Sequence, residues 1–133
     1  MLGDKIGDFE AQIIGTKVLS TDPLRVEVTA QGTATLLGTE TTELVTYWSE
    51  MRPDGSLYGE GEGVNMTADG QVATFKAAGI GHPTGEGMGA RFRGAVYYHT
   101  TSEKLADLNR VACVYEYEVD AEGRARAELF EWK

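Results

Sequence analysis

The chain reads as an all-β protein, a single up-and-down antiparallel barrel of about eight strands over residues 1–133, and three observations carry that reading. Apolar and polar residues alternate along most of the sequence, the two-residue period of a half-buried strand. The alternating segments are short and separated by turn signals, among them Thr21-Asp22-Pro23, Arg52-Pro53-Asp54-Gly55-Ser56 and Ala68-Asp69-Gly70. Glycines spaced two apart recur in neighbouring segments (Gly61 and Gly63, Gly79 and Gly81), as a sheet requires where it coils hardest on closing. An open β-sandwich is the alternative, and these paired glycines favour the barrel.

Taken in order, a first strand runs from about Gly7 to Ser20, interrupted at Gly15. The second has the clearest alternation. Leu24, Val26, Val28, Ala30, Gly32, Ala34 and Leu36 fall on one face, and Arg25, Glu27, Thr29, Gln31, Thr33 and Thr35 on the other. Its dry face shrinks in the middle, so a bulky group is expected opposite. The third strand covers Thr41–Met51. The fourth, Leu57–Thr67, interleaves Gly59, Gly61 and Gly63 with Tyr58, Glu60 and Glu62. A fifth runs from Gln71 to His82 and a sixth from Ala90 to Thr100, with the flexible loop Pro83–Gly89 between them. Thr101–Arg110 is the one helical segment, a short helix or 3-10 turn over 102–109, with Ser102 as its cap and Asn109 as its stop. Val111–Val119 and Ala125–Lys133 complete the strands; Val111, Cys113, Tyr115, Tyr117 and Val119 face inward.

Composition narrows function mainly by exclusion. Twelve Lys and Arg against 21 Asp and Glu leave a net charge of -9. That balance argues against nucleic acid, whose affinity rests on basic contacts to phosphate, and against an anionic membrane surface. Cys113 is the single cysteine, which fits a reducing compartment and a buried core thiol. The start of the chain lacks the basic and apolar regions of a signal peptide, and no apolar run approaches the roughly 20 residues that span a bilayer. A cytoplasmic protein is expected.

Chemistry-bearing motifs are few. His82 and His99 stand apart, without Cys partners or helical pair spacing, so no metal site is expected. Neither a Gly-x-Ser-x-Gly elbow nor a phosphate loop occurs. Glu60 and Glu62 share a strand face with Tyr58. Turned inward, they would repel and raise one pKa, giving an acid or base. Turned outward, as exposed Glu usually is, they leave the bare glycine face lining the interior, with room for a ligand or for a large residue such as Trp48. On the sixth strand, Phe92, Val96 and Tyr98 form the more apolar face, which puts Tyr97 and His99 outside and Tyr98 inside.

The run Met51-Arg52-Pro53-Asp54-Gly55-Ser56-Leu57-Tyr58-Gly59-Glu60-Gly61-Glu62-Gly63, followed by Met66–Gly70 and Phe92–Thr100, resembles a group of small uncharacterised bacterial proteins. These are related in architecture to the calycin-like and allene oxide cyclase-like β-barrel superfamily. The resemblance covers strand layout over most of the chain and no catalytic motif. It implies a barrel with a pocket at one mouth, and members that include cyclases.

Three readings follow. The first is a barrel that binds a small hydrophobic, polyketide-like molecule through Trp48, Phe75, Tyr98, Tyr115 and Tyr117, beside Gly61 and Gly63. The second is a cofactor-free cyclase or isomerase in the same pocket, with Tyr98, Glu62 or His99 as the acid–base group. The third is a structural barrel with a filled interior whose outer face makes a homo-oligomer. A binder or an enzyme calls for a continuous cavity of about 300 Å³ or more with polar groups converging on it.

Overall fold

The computed structural model describes residues 2–133. Its eight strands are β1 (Leu2–Thr21), β2 (Leu24–Leu36), β3 (Thr39–Met51), β4 (Leu57–Thr67), β5 (Val72–Pro83), β6 (Ala90–Thr100), β7 (Ala112–Val119) and β8 (Arg124–Trp132). Each pairs antiparallel with its sequence neighbours, and β1 pairs with β8 from Leu2↔Trp132 to Gln12↔Arg124, closing the barrel. This is the up-and-down topology expected from the alternation and the turns. Closure leaves no sheet edge along the paired length.

Two elements differ from the sequence reading. β1 is continuous through Gly15; what looked like an interruption is a pair of register shifts against β2, at Ile13/Gly15 and Val18/Ser20. Bulges of this kind bend a strand without ending it. The expected helix is a single 3-10 turn, Ala106–Arg110, with no side-chain cap. Ser102 does not cap it, because its hydroxyl donates to the Gln71 side chain instead. Asn109 secures the segment to β6, accepting from the Thr100 N–H at 2.8 Å and donating to the Thr100 carbonyl at 2.9 Å. Leu105 and Leu108, both fully buried, close this end of the barrel. They pack in one cluster with Leu36, Ala73 and Cys113.

The inner wall is apolar and aromatic on most strands and bare on β4. A Cβ on Gly61 would come within 2.6 Å of the Tyr47 Cβ, and one on Gly81 within 2.6 Å of the Phe92 ring. Gly63 lies under the Phe75 ring in the same way. Each of these glycines is the direct cross-strand partner of the aromatic that covers it: Tyr47↔Gly61, Gly63↔Phe75, Gly81↔Phe92. Cross-strand neighbours stand close enough that a large ring needs its partner's side chain to be absent. Gly32 and Gly94 serve a different end. A Cβ on either would strike the backbone of the adjacent strand, at Ala11 and at Gly79, so the small mid-section of β2 reflects close strand approach and not a bulky group opposite.

These contacts set the effect of adding one methyl. Gly94→Ala should lose about 1–3 kcal/mol or more, since a backbone neighbour cannot yield as a side chain can. Gly15→Ala, where nothing lies within 4 Å, should be neutral or stabilising by about 0.5 kcal/mol. Urea denaturation of the two variants checks the pair, and equal losses would refute this account of the glycines.

Candidate functional site

Strand parity decides which side chains reach the interior. On β3 the inward set is Thr41, Glu43, Val45 and Tyr47, and on β4 the glycine face continues to Asn65 and Thr67. Glu43 and Asn65 are direct cross-strand partners. The Asn65 amide donates to Glu43 Oε1 at 2.8 Å and to the Thr41 hydroxyl at 3.0 Å. Thr41 in turn donates to the Ala34 carbonyl at 3.0 Å. Glu43 is 6% exposed and Asn65 fully buried. Asn65 Oδ1 has no hydrogen-bond partner among the described residues, and the Asn65 amide is the side-chain donor to Glu43, through Oε1 and not Oε2.

Glu43 borders an internal cavity of about 90 Å³ whose other walls include Phe75, Val96, Tyr98, Tyr115, Tyr117 and Leu129. Tyr47 and Phe92 line it as well. The Tyr47 and Tyr117 hydroxyls share a hydrogen bond at 3.0 Å, and their rings meet edge-on with centroids 5.6 Å apart. Phe75 and Tyr98 form a second ring pair at 5.4 Å. One Tyr of the hydroxyl pair must donate to the other, which leaves the acceptor's own proton free. The cavity is smaller than the sequence reading required, because rings covering the glycines take up most of the space they leave. It still exceeds the roughly 10–15 Å³ that one water needs on this measure.

The interior is electrostatically one-sided. No Lys, Arg or His lines the cavity. Burial pushes the Glu43 carboxyl from 4.5 up to about 7, and the Asn65 hydrogen bond offsets only part of that rise. Burial also raises Tyr98, with the Glu43 charge adding to the effect, and raises Tyr117 and Tyr47. Tyr115 is pushed up to about 12 and the Cys113 thiol to about 11, again mainly by burial. Of these groups only Glu43 changes charge near neutral pH.

The residues singled out from sequence divide cleanly. Phe75, Tyr98, Tyr115, Tyr117 and Gly61 border the cavity, and Gly63 lies beneath Phe75. Trp48 does not. It lies on the outer wall, edge-on to Tyr58 at 5.8 Å and under the Arg25 guanidinium at 4.4 Å. Inward-facing Tyr47 forces its neighbour outward, since successive strand residues alternate. Glu62 is also outside, exposed and 3.7 Å from Lys76. Glu60 points its carboxylate outward to accept from the Tyr58 hydroxyl at 2.8 Å. His99 is exposed on the outer face of β6, next to Tyr97 at 60% exposure. Neither Glu62 nor His99 reaches the interior, so the buried carboxyl on the cavity wall is Glu43, which the sequence reading missed. Its signal was present: continuing the glycine face of β4 by two residues reaches Asn65, a buried amide that must have a polar partner.

A larger concavity, about 1020 Å³, runs along the outer wall beside Lys5, Asp8, Arg91, Arg93, Glu116 and Glu128. Its ion pairs, such as Lys5–Glu128 at 3.3 Å and Arg93–Glu116 at 3.6 Å, join exposed side chains, and such pairs contribute little. Among the described residues no cluster of three or more His, Cys, Asp or Glu is placed to hold a metal. No helix is long and apolar enough to cross a membrane.

With this geometry described, the chain can be set beside known proteins. No family model matches it, and no curated protein matches it. Solved structures do. A conserved protein of unknown function from Rhodopseudomonas palustris is 16% identical, with TM-score 0.82 over 98% of this chain and 97% of that one. A protein of unknown function from Clostridium acetobutylicum is 14% identical, with TM-score 0.83 over 98% of each chain. A β-barrel-like protein from Acinetobacter baumannii is 16% identical, with TM-score 0.78 over 100% of this chain and 96% of that one. At such identities the likeness shows the fold alone. The neighbours are small uncharacterised barrels, and none is named as calycin-like or allene oxide cyclase-like.

Glu43 makes stability depend on pH in a direction opposite to that of most carboxylates. The folded state holds the proton more tightly than the unfolded chain. The stabilisation is therefore complete below pH 4.5 and is lost as pH rises through about 7. The loss amounts to about 3 kcal/mol. Glu43→Gln, which keeps an oxygen to accept from Asn65, should abolish that decline and be the more stable protein at pH 8. Denaturant midpoints at pH 5 and pH 8 for both proteins check this, and an unchanged slope in the variant would show that Glu43 is not the group responsible.

Proposed function

We propose that the barrel binds a very small, largely apolar molecule, of no more than a few heavy atoms, in the internal cavity of about 90 Å³. Phe75, Val96 and Leu129 would supply its apolar contacts, and Glu43 and Tyr98 would fix its one polar end. The observation that carries this reading is Glu43 itself: a buried carboxyl on the wall of an aromatic cavity, with one oxygen left to accept a hydrogen bond. Apolar walls with a few convergent polar groups are the usual layout of a small-molecule site. The lone buried thiol of Cys113 suits a reducing, cytoplasmic setting.

A second reading, a cofactor-free cyclase or isomerase like those of allene oxide cyclase-like barrels, is favoured by one specific observation. A general acid or base works best with a pKa near the working pH, and Glu43 is raised to about 7. Tyr98, its phenol proton held tightly, would act only as a hydrogen-bond donor to a developing oxyanion.

Native mass spectrometry of the gently isolated protein tests the binding reading. An adduct of low mass is expected on the wild type and should be lost from Ala77→Leu, which fills the cavity wall while adding only apolar volume. An adduct retained in that variant places the ligand elsewhere and refutes the assignment.

A further inference from the structure

The chemistry of the cavity also selects the class of ligand, and this step rests on the small-molecule reading above. We propose that the cavity is built for a small organic cation, an ammonium whose charge sits against Glu43 Oε2 and whose alkyl groups lie against the rings of Tyr47, Phe75, Phe92 and Tyr98.

Three observations converge on that class. Glu43 is more than nine-tenths buried and receives one hydrogen bond, from a neutral amide, while no cationic side chain lines the space around it. A buried carboxylate without a counter-ion is costly, and a charged partner relieves that cost only if it is brought into the same cavity. An anionic ligand would be repelled there, and a purely hydrocarbon one would leave Glu43 relieved only by taking up a proton. The walls are aromatic, and ring faces carry the negative quadrupole that attracts ammonium groups within about 6 Å of the ring centroid. The exterior agrees in sign: a net charge of -9 raises the local concentration of cations.

Cation binding is then coupled to one proton. Tyr47 on the same strand, Tyr98 on β6, and Cys113, Tyr115 and Tyr117 on β7 are the ionisable groups that share the interior with Glu43; Glu131 on β8 faces Cys113. β2 and β4 place Gly32, Ala34 and Asn65 beside it, and Glu60 of β4 borders the same cavity with its carboxylate turned outward to the Tyr58 hydroxyl. The phenols and the thiol all hold their protons more tightly than usual. Between pH 6 and pH 8 the site therefore responds through Glu43, and a cation binds the ionised form.

Isothermal titration calorimetry with choline and tetramethylammonium, against 3,3-dimethyl-1-butanol as the neutral isostere of choline and phenol as a neutral donor, tests the proposal. Neither cation titrates, so any pH dependence belongs to the protein. At pH 8 the cations should bind at least about tenfold more tightly than the isostere. Their affinity should fall about tenfold by pH 6, while that of the isostere stays constant. Glu43→Gln should remove both the preference and the slope. Isostere or phenol binding as tightly as choline would overturn the cation assignment and leave the binding cavity standing. Absence of binding by all four probes would overturn the cation assignment, and the presence or absence of the native adduct then decides the small-molecule reading separately. The wild-type comparisons decide the matter even if the variant folds poorly.

Discussion

The pairing of an aromatic ring with a glycine on the neighbouring strand governs how this barrel closes and what it encloses. Tyr47 stands beside Gly61, Phe75 beside Gly63 and Phe92 beside Gly81. Each ring lies over the bare backbone of its partner, an arrangement that restores the packing an isolated glycine forfeits. It also lets these three rings share a narrow interior with Tyr98, Tyr115 and Tyr117 without displacing the strands. The glycines thus do not leave open space; they relocate side-chain volume from β4 to β3 and β5, and from β5 to β6. The cavity is what remains once those rings are placed, which explains both its aromatic walls and its modest size.

Glu43 and Asn65 occupy the same inner surface just beyond the last ring–glycine pair. They depend on that pairing for their position, because the parity that turns Gly61 and Gly63 inward turns Asn65 inward as well. Strict cross-strand register then puts Glu43 opposite it. The hydrogen-bonded relay from Asn65 through Thr41 to the Ala34 carbonyl orients the amide. Its donor protons go to Thr41 and Glu43, and its oxygen is left unpaired. The carboxyl is therefore held in place by a neutral group while its charge goes unanswered.

The fold was legible because most strands obey a two-residue period and the hairpin turns carry their own chemistry; Asp54, for example, accepts from both the Ser56 N–H and its hydroxyl. The inward tyrosines of β7 and the outward Glu60 and Glu62 could be read for the same reason. β3 could not. Its outward face carries Leu44 and Trp48 and its inward face carries Glu43 and Thr41, so hydrophobicity points the wrong way. Trp48 was accordingly expected inside and Glu43 passed unnoticed. Parity along one strand is ambiguous when a polar site is built into it, and only the register with β4 resolves the ambiguity. Strand-level patterns fail most readily where a buried polar group serves something other than packing.

A barrel whose interior served stability alone would not need that group. Replacing a buried carboxyl by an apolar side chain of similar volume is commonly neutral or stabilising, and position 43 has apolar neighbours in Val45 and Phe75 ready to pack against one. The third reading, a structural barrel with a filled interior, accounts for the rings and the glycines but gives no reason for Glu43 or for the unpaired oxygen of Asn65. Both features follow from a reading in which the cavity is completed by a partner that brings its own hydrogen-bond donors or positive charge. Sites that bind or react commonly retain such destabilising groups, and the rest of this interior is arranged to tolerate one.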